Sequence, residues 1–146
     1  MLNCTGARAS LAWMKWPRAS EQGAKMSDQS QDCLFCKIVQ GSIPSKKLYE
    51  DADIFAFHDI RPVAPVHFLI IPKAHVETLY DAGMEHQGAL GKMLAMAGQL
   101  AREAGATDGF RTIVNCGRVG HQEVYHLHMH VIGGPDPLGP MIARRI

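Results

Sequence analysis

No stretch of this 146-residue chain approaches the ~20 consecutive apolar residues needed to cross a bilayer, so nothing in it reads as a membrane span. Charge of one sign is also missing: 15 Lys and Arg face 14 Asp and Glu, a formal net charge of +1, and the basic residues are scattered apart from Arg144 and Arg145. That removes the electrostatic case for nucleic acid or an anionic membrane as partner, since both reward a basic stripe. Cysteine is scarce. Of the four, Cys4 and Cys116 stand alone, and the spacing suggests no disulfide framework. With no convincing secretory apolar core, export is not expected and the cytoplasm is the expected compartment. The remaining composition, 47% hydrophobic and 20% charged, is that of one ordinary globular core.

Residues 1–25 lack helical or strand periodicity and are expected to be an appendage to a single domain over 26–146. Arg8, Lys15 and Arg18, with Ser10 and Ser20 and no acid before Glu21, fit a mitochondrial transit peptide by composition. The preferred reading is a start assigned too far upstream, because Met26-Ser27-Asp28 has the look of an ordinary N-terminus.

Punctuation and period supply a coarse architecture. A short helix over Cys36 to Val39 ends at Gly41 and Pro44; Lys47 to Glu50 and Ile54 to Asp59 read as strands around an Asp51-Ala52-Asp53 turn. Val66 to Ile71, apolar on both faces apart from His67, reads as a central strand. Leu90, Met93, Leu94, Ala97, Leu100 and Ala101 recur at helical spacing, which predicts one long amphipathic helix from Glu85 to Ala104, stopped by Gly105, with this stripe packed in the core. Phe110 to Cys116 and Tyr125 to Ile132 complete five strands. The sum is an α+β fold on an antiparallel sheet.

The most informative segment is Tyr125-His126-Leu127-His128-Met129-His130-Val131-Ile132. In an extended chain side chains alternate, so the three histidines share one face and Leu127, Met129 and Val131 the other. An isolated histidine among apolar residues is usually a satisfied core residue. Three in alternation need partners for up to six ring nitrogens, a cost that argues for function. Imidazole near neutral pH serves as nucleophile, acid or phosphate ligand, and a three-histidine metal cage is a further reading of the same residues.

The segment resembles the His-x-His-x-His signature of the histidine triad family of nucleotide hydrolases and transferases. Phe57 to Lys73 is similar to that family's second block, and Val114-Asn115-Cys116-Gly117 with Gly120-His121-Gln122-Glu123-Val124 to the loop leading into the triad, so the likeness spans Asp32 to Met141. The transferase branch carries Gln at the third triad position, where this chain has His130; hydrolysis is therefore implied. Gly133-Gly134 and the prolines Pro135, Pro137 and Pro140 resemble the histidine triad nucleotide-binding branch.

That resemblance implies a purine nucleoside phosphoramidase type of activity, releasing a monophosphate such as AMP through a nucleotidyl adduct on His128. His126 and His130 are then expected to orient the nucleophile and stabilise phosphate charge, and His67 to fix tautomers in the cluster, its alternative being a core histidine bonded to backbone. Asp59 is implied for two ribose hydroxyls, although an acid so placed is otherwise read as a hairpin residue; Ile60 is implied for the base. Asn115 and the amides around Gln122 and Glu123 are implied for phosphate or ribose oxygens. Many relatives have Gly where His121 stands and a hydroxyl residue where Glu123 stands; the Glu123 carboxylate suits an amine leaving group and repels a polyphosphate.

Cys33-x-x-Cys36 is by itself a redox pair or half of a zinc site. No thioredoxin-like βαβ pattern surrounds it. Some bacterial triad proteins with this pair near the N-terminus bind a structural zinc through a histidine just after the Pro-Lys of the second block and the first triad histidine, and the resemblance to them implies Cys33, Cys36, His75 and His126 here. No organic cofactor is implied. A homodimer joining two sheets, with the long helix at or near the interface, follows from the same resemblance. The competing function is a non-catalytic purine-nucleotide-binding adaptor, separated by turnover of the wild type against His128→Ala; a zinc hydrolase using the triad as ligands is the third reading.

Overall fold

The computed structural model describes residues 29–142. The expectations for residues 1–25, for Met26 as a start and for Arg144 and Arg145 lie outside the described residues. In chain order the elements are α1 (Gln29–Asp32), α2 (Leu34–Val39), β1 (Lys47–Glu50), β2 (Ile54–His58), β3 (Val66–Pro72), a 3-10 turn (Met84–His86) running into α3 (Gln87–Glu103), β4 (Phe110–Ile113) and β5 (Met129–Gly133). The strands form one sheet in the order β1-β2-β3-β5-β4 with every pairing antiparallel, as the α+β reading expects.

Period-two alternation gives the sheet two different faces. Ile54, Ala56, Val66, Phe68, Ile70, Met129 and Val131 pack with Met93, Ala97, Leu100 and Ala101 of α3 into one core, and Leu127 joins them. Phe55, Phe57, Leu69 and Ile71 face the other way, onto Phe35 and Ile38 of α2. Every residue of β3 is buried, which is why its sequence is apolar on both faces. Each fully buried large side chain contributes about 1.5–3 kcal/mol, so these two layers hold the sheet in place. The β1–β2 turn is set by Asp51, whose carboxylate accepts the N–H groups of Asp53 and Ile54 at 2.8 and 3.0 Å.

The elements differ from the sequence expectations at their edges. Leu94 is 64% exposed, because α3 lies flat on the sheet and its contact stripe, Met93, Ala97, Leu100 and Ala101, is narrower than the apolar one. β4 stops at Ile113 instead of Cys116. Strand geometry in β5 begins only at Met129, so Tyr125 to His128 run outside the ladder.

Candidate functional site

The register of β3 against β5 builds the histidine cluster. His130 pairs with Leu69 and Ile132 with His67, so His67 and His130 stand diagonally on the sheet face that meets α2. Their rings are 5.2 Å apart, and His128 lies edge-on to His130 at 5.0 Å.

Hydrogen bonds then fix each tautomer. The Val63 N–H donates to His67 Nδ1 at 3.2 Å, so a neutral His67 carries its proton on Nε2. That Nε2–H donates to His130 Nδ1 at 3.0 Å, which puts the His130 proton on Nε2. His128 Nδ1–H donates to the His126 carbonyl at 2.8 Å, leaving the His128 Nε2 lone pair free. Asp59 sits 3.4 Å from His67 Nε2 and also accepts the Arg61 N–H at 2.7 Å, so it is both a turn acid and a neighbour of the cluster. Burial holds the cluster neutral: His130 is pushed down to about 4, with His128 and His67 adding to the effect, and burial lowers His67 and His128 as well.

These rings open into a cavity of about 570 Å³. Phe35, Ile38, Phe57 and Leu69 supply an apolar wall; His67, His128 and His130 meet it, and Asp59, Ile60, Asn115 and Glu123 stand around it. Ile60 is 90% exposed at this rim, available to cover a planar ligand. His58 also lines the cavity, its pKa lowered by burial and by Lys46. Phe35 escaped the sequence reading although it touches both His126 and His128 edge-on, at 5.9 and 5.2 Å. Its signal is its place inside Cys33-x-x-Cys36.

Two expected site residues stand elsewhere. His126 is fully buried and lines no part of the cavity; its Nε2–H donates to the Pro72 carbonyl at 2.8 Å and its Nδ1 lies 3.5 Å from both Cys33 Sγ and Cys36 Sγ. The three triad histidines therefore form no common cage, because one is turned toward the cysteines. Gln122 is buried, its carbonyl oxygen accepting the Gly117 N–H at 2.9 Å and its amide nitrogen donating to the Glu77 and Val124 carbonyls at 2.6 and 3.0 Å. Its own main-chain N–H is taken by the Gly117 carbonyl at 3.0 Å, so it braces the loop instead of offering a phosphate donor. The loop is tight: Gly117 has φ 65°, and a Cβ at Gly120 would stand 2.6 Å from the Cys116 carbonyl. His121 adopts a left-handed φ of 59°, a cost of order 1 kcal/mol in a non-glycine residue, and its Nε2 lies 3.6 Å from Glu123.

The second cluster joins Cys33, Cys36, His75 and His126, whose ligand atoms all lie within 4.8 Å of one another. His75 Nδ1 is 3.3 Å from Cys36 Sγ, and His75 Nε2 is a buried nitrogen with no partner. Burial and the neighbouring Cys33 push the Cys36 thiol up to about 12. Two soft sulfurs and two imidazoles are the donor set of a closed tetrahedral zinc site, and the bond from His126 Nε2 to Pro72 frees Nδ1 for a metal. The residues fit the ion.

Residues 40–136 match the family described as HIT domain. The chain belongs to this family. It is 47% identical over 117 residues to the purine nucleoside phosphoramidase of Escherichia coli K12, covering 80% of this chain and 98% of that protein. Among solved structures, a HIT family hydrolase from Legionella pneumophila is 45% identical, with a TM-score of 0.70 over 75% of this chain and 98% of that one. A zinc-bound histidine triad family protein from Mycobacterium smegmatis is 35% identical, with a TM-score of 0.65 over 73% of this HIT chain and 78% of its own.

Proposed function

We propose that this HIT protein is a purine nucleoside phosphoramidase that works through a covalent nucleotidyl-histidine intermediate. The observation that carries the reading is the tautomer chain Val63–His67–His130 beside a His128 whose Nδ1 is tied to a carbonyl, so that a free lone pair and an N–H face the same cavity. His128 Nε2 attacks phosphorus and the phosphorus–nitrogen bond to the leaving amine breaks. The amine leaves with the bonding pair and the proton that the substrate nitrogen carries into the site, while the His130 Nε2–H stays on its ring and donates to a phosphoryl oxygen. Water then attacks the adduct, one of its protons passes to solvent, and the monophosphate and neutral His128 emerge. Splitting one displacement into two is the gain of covalent catalysis, and the His126 carbonyl opposes the positive charge that develops on the His128 ring.

Asp59 would accept ribose hydroxyls while Ile60 and the apolar wall take the base. Asn115 and the main chain at Glu123 would take phosphate or ribose oxygens. The Glu123 carboxylate favours an amine over a polyphosphate leaving group. Cys33, Cys36, His75 and His126 would hold zinc, which supplies structure and not chemistry; it ties α2 to the triad segment. His126 thus serves the site through its carbonyl, its ring belonging to the metal.

A homodimer is part of the reading. β4 is an edge strand, and Leu94 (64% exposed) and Phe110 (40% exposed) stand on α3 and β4 within one contiguous region, Phe110 lying 3.9 Å from where a Gly98 side chain would begin. Pairing two such edges would extend the sheet and cover them. Among the described residues no helix is long and apolar enough to cross a membrane, and the free thiols suit the reducing cytoplasm.

Mixing the protein briefly with an adenosine phosphoramidate and recording its mass tests the chemistry. Wild type should gain one nucleotidyl group and release AMP, and His128→Ala should do neither. Binding without adduct or AMP in wild type would replace the enzyme with an adaptor.

A further inference from the structure

We infer that Cys33, Cys36 and His75 are positioning residues for the nucleophile, so that metal bound there sets the tautomer and orientation of His128 through the main chain of His126. The inference rests on the metal site and the nucleophile assigned above.

His126 is the shared part. Its ring is fully buried and engaged at both nitrogens, toward the two sulfurs on one side and to the Pro72 carbonyl on the other. The carbonyl of the same residue accepts the His128 Nδ1–H at 2.8 Å. A ring that cannot turn holds its peptide plane, and that plane holds the nucleophile.

Beyond the Pro72 carbonyl, the strand ladder does not hold this segment. His126 to His128 precede the ladder of β5, and their main-chain tie among the described residues is the Leu127 N–H to the Val76 carbonyl at 2.6 Å. Both ends of that bond follow a ligand directly, Val76 after His75 and Leu127 after His126. Metal therefore anchors the two strands of chain that this one bond joins. The opposite wall shares the cluster. α2 has six residues and no side-chain cap; its Phe35 and Ile38 seat it on the core, and it carries Cys36 beside the Phe35 ring that packs on His128. Without metal the four ligand side chains repack, and the Phe35 wall and the His126 carbonyl lose their common anchor.

The test uses the full chain, loaded with zinc and then stripped by a chelator, which can reach Cys33 and His75 through an open cleft of about 580 Å³. Native mass reports metal content, nitrogen-15 correlation spectra report the His128 ring tautomer, and kcat and KM are measured separately on an adenosine phosphoramidate. Loaded protein should show a single Nδ1–H tautomer at His128. Stripped protein should show both tautomers and a kcat lower by about 10–100-fold, the range typical of lost support around a ligand, with a smaller change in KM. His75→Cys, which keeps four metal donors, should recover the loaded tautomer and most of kcat. If the stripped protein unfolds, exchange of zinc for the larger cadmium ion keeps the fold and should shift the His128 ring resonances while leaving those of His58 in place. Metal that binds and leaves, or is exchanged, with His128 and kcat unmoved overturns the inference. A chain that binds no metal but hydrolyses the substrate overturns the metal site itself and leaves the nucleophile standing.

Discussion

Lowering the pH should unfold this protein through its histidine cluster, and His130 sets the size of the effect. Its pKa is held at about 4 by burial and the adjacent imidazoles, against 6.5 for a free side chain. The unfolded chain therefore takes up a proton before the folded one does. Stability is complete above pH 6.5, declines between 6.5 and 4, and declines no further on this account below 4. A gap of about 2.5 units at ~1.4 kcal/mol each amounts to about 3–4 kcal/mol from His130. Against a total stability of about 5–15 kcal/mol that is a large fraction. His67 and His128 move in the same direction, so the combined loss is steeper. Urea unfolding at pH 7.5, 6.5, 5.5 and 4.5 measures it, and His130→Gln isolates the single group. The wild-type slope near pH 5 should exceed that of the variant by up to one proton, ~1.4 kcal/mol per pH unit. Both proteins keep Cys33, Cys36, His75 and His126, so any metal contribution cancels in the difference. Parallel curves would refute the argument, since they would mean that His130 ionises as readily inside the fold as outside.

His67→Ala removes the N–H that fixes the His130 tautomer, and kcat should fall by about 10–100-fold with KM changed far less; a KM-only effect would assign His67 to substrate binding. Glu123→Gln should narrow the preference for a cationic over an anionic leaving amine by several-fold, because Glu123 is exposed and its field is screened; a comparison of kcat/KM across neutral, cationic and anionic phosphoramidates decides it, and an unchanged ratio removes Glu123 from leaving-group choice. Leu94→Glu should shift a dimer to monomer in sedimentation at micromolar concentration with little change in Tm below the dissociation point, and a mass unaltered by the substitution would place the interface elsewhere.

Much of the fold is legible because its signals are local. Ile54 to Asp59 and Val66 to Ile71 read as strands, the second as a central one, and β2 and β3 stand there with both faces covered, Phe55, Phe57 and Leu69 against α2 and Ile54, Ala56 and Phe68 against α3. Asp51 announces its turn through a side chain that bonds two residues on. What the sequence does not disclose depends on how elements lean on one another. Leu94 belongs to the apolar period of α3, and only the flat seating of the helix on the sheet decides that it stays outside. Gln122, expected by resemblance to offer a main-chain amide, has that N–H taken by the Gly117 carbonyl and its side-chain amide held by main-chain groups of Gly117, Glu77 and Val124.

His126 is the most instructive case. Strict alternation places it with His128 and His130, and it does face α2, as the Phe35 contacts to both His126 and His128 require. Its departure from the cavity has a cause one strand away. The β3–β5 ladder runs from Val66 opposite Gly133 to Ile70 opposite Met129, and two residues further it meets Pro72, which has no N–H to give. Pairing ends there, the chain peels off, and the Leu127 N–H goes to Val76 instead. The Pro72 carbonyl that β5 leaves free is then taken by the His126 ring, which turns its other nitrogen to the cysteines. A proline at the end of a buried strand thereby divides one run of three histidines between two places, two lining the cavity and one beside the cysteines, with a single carbonyl joining them.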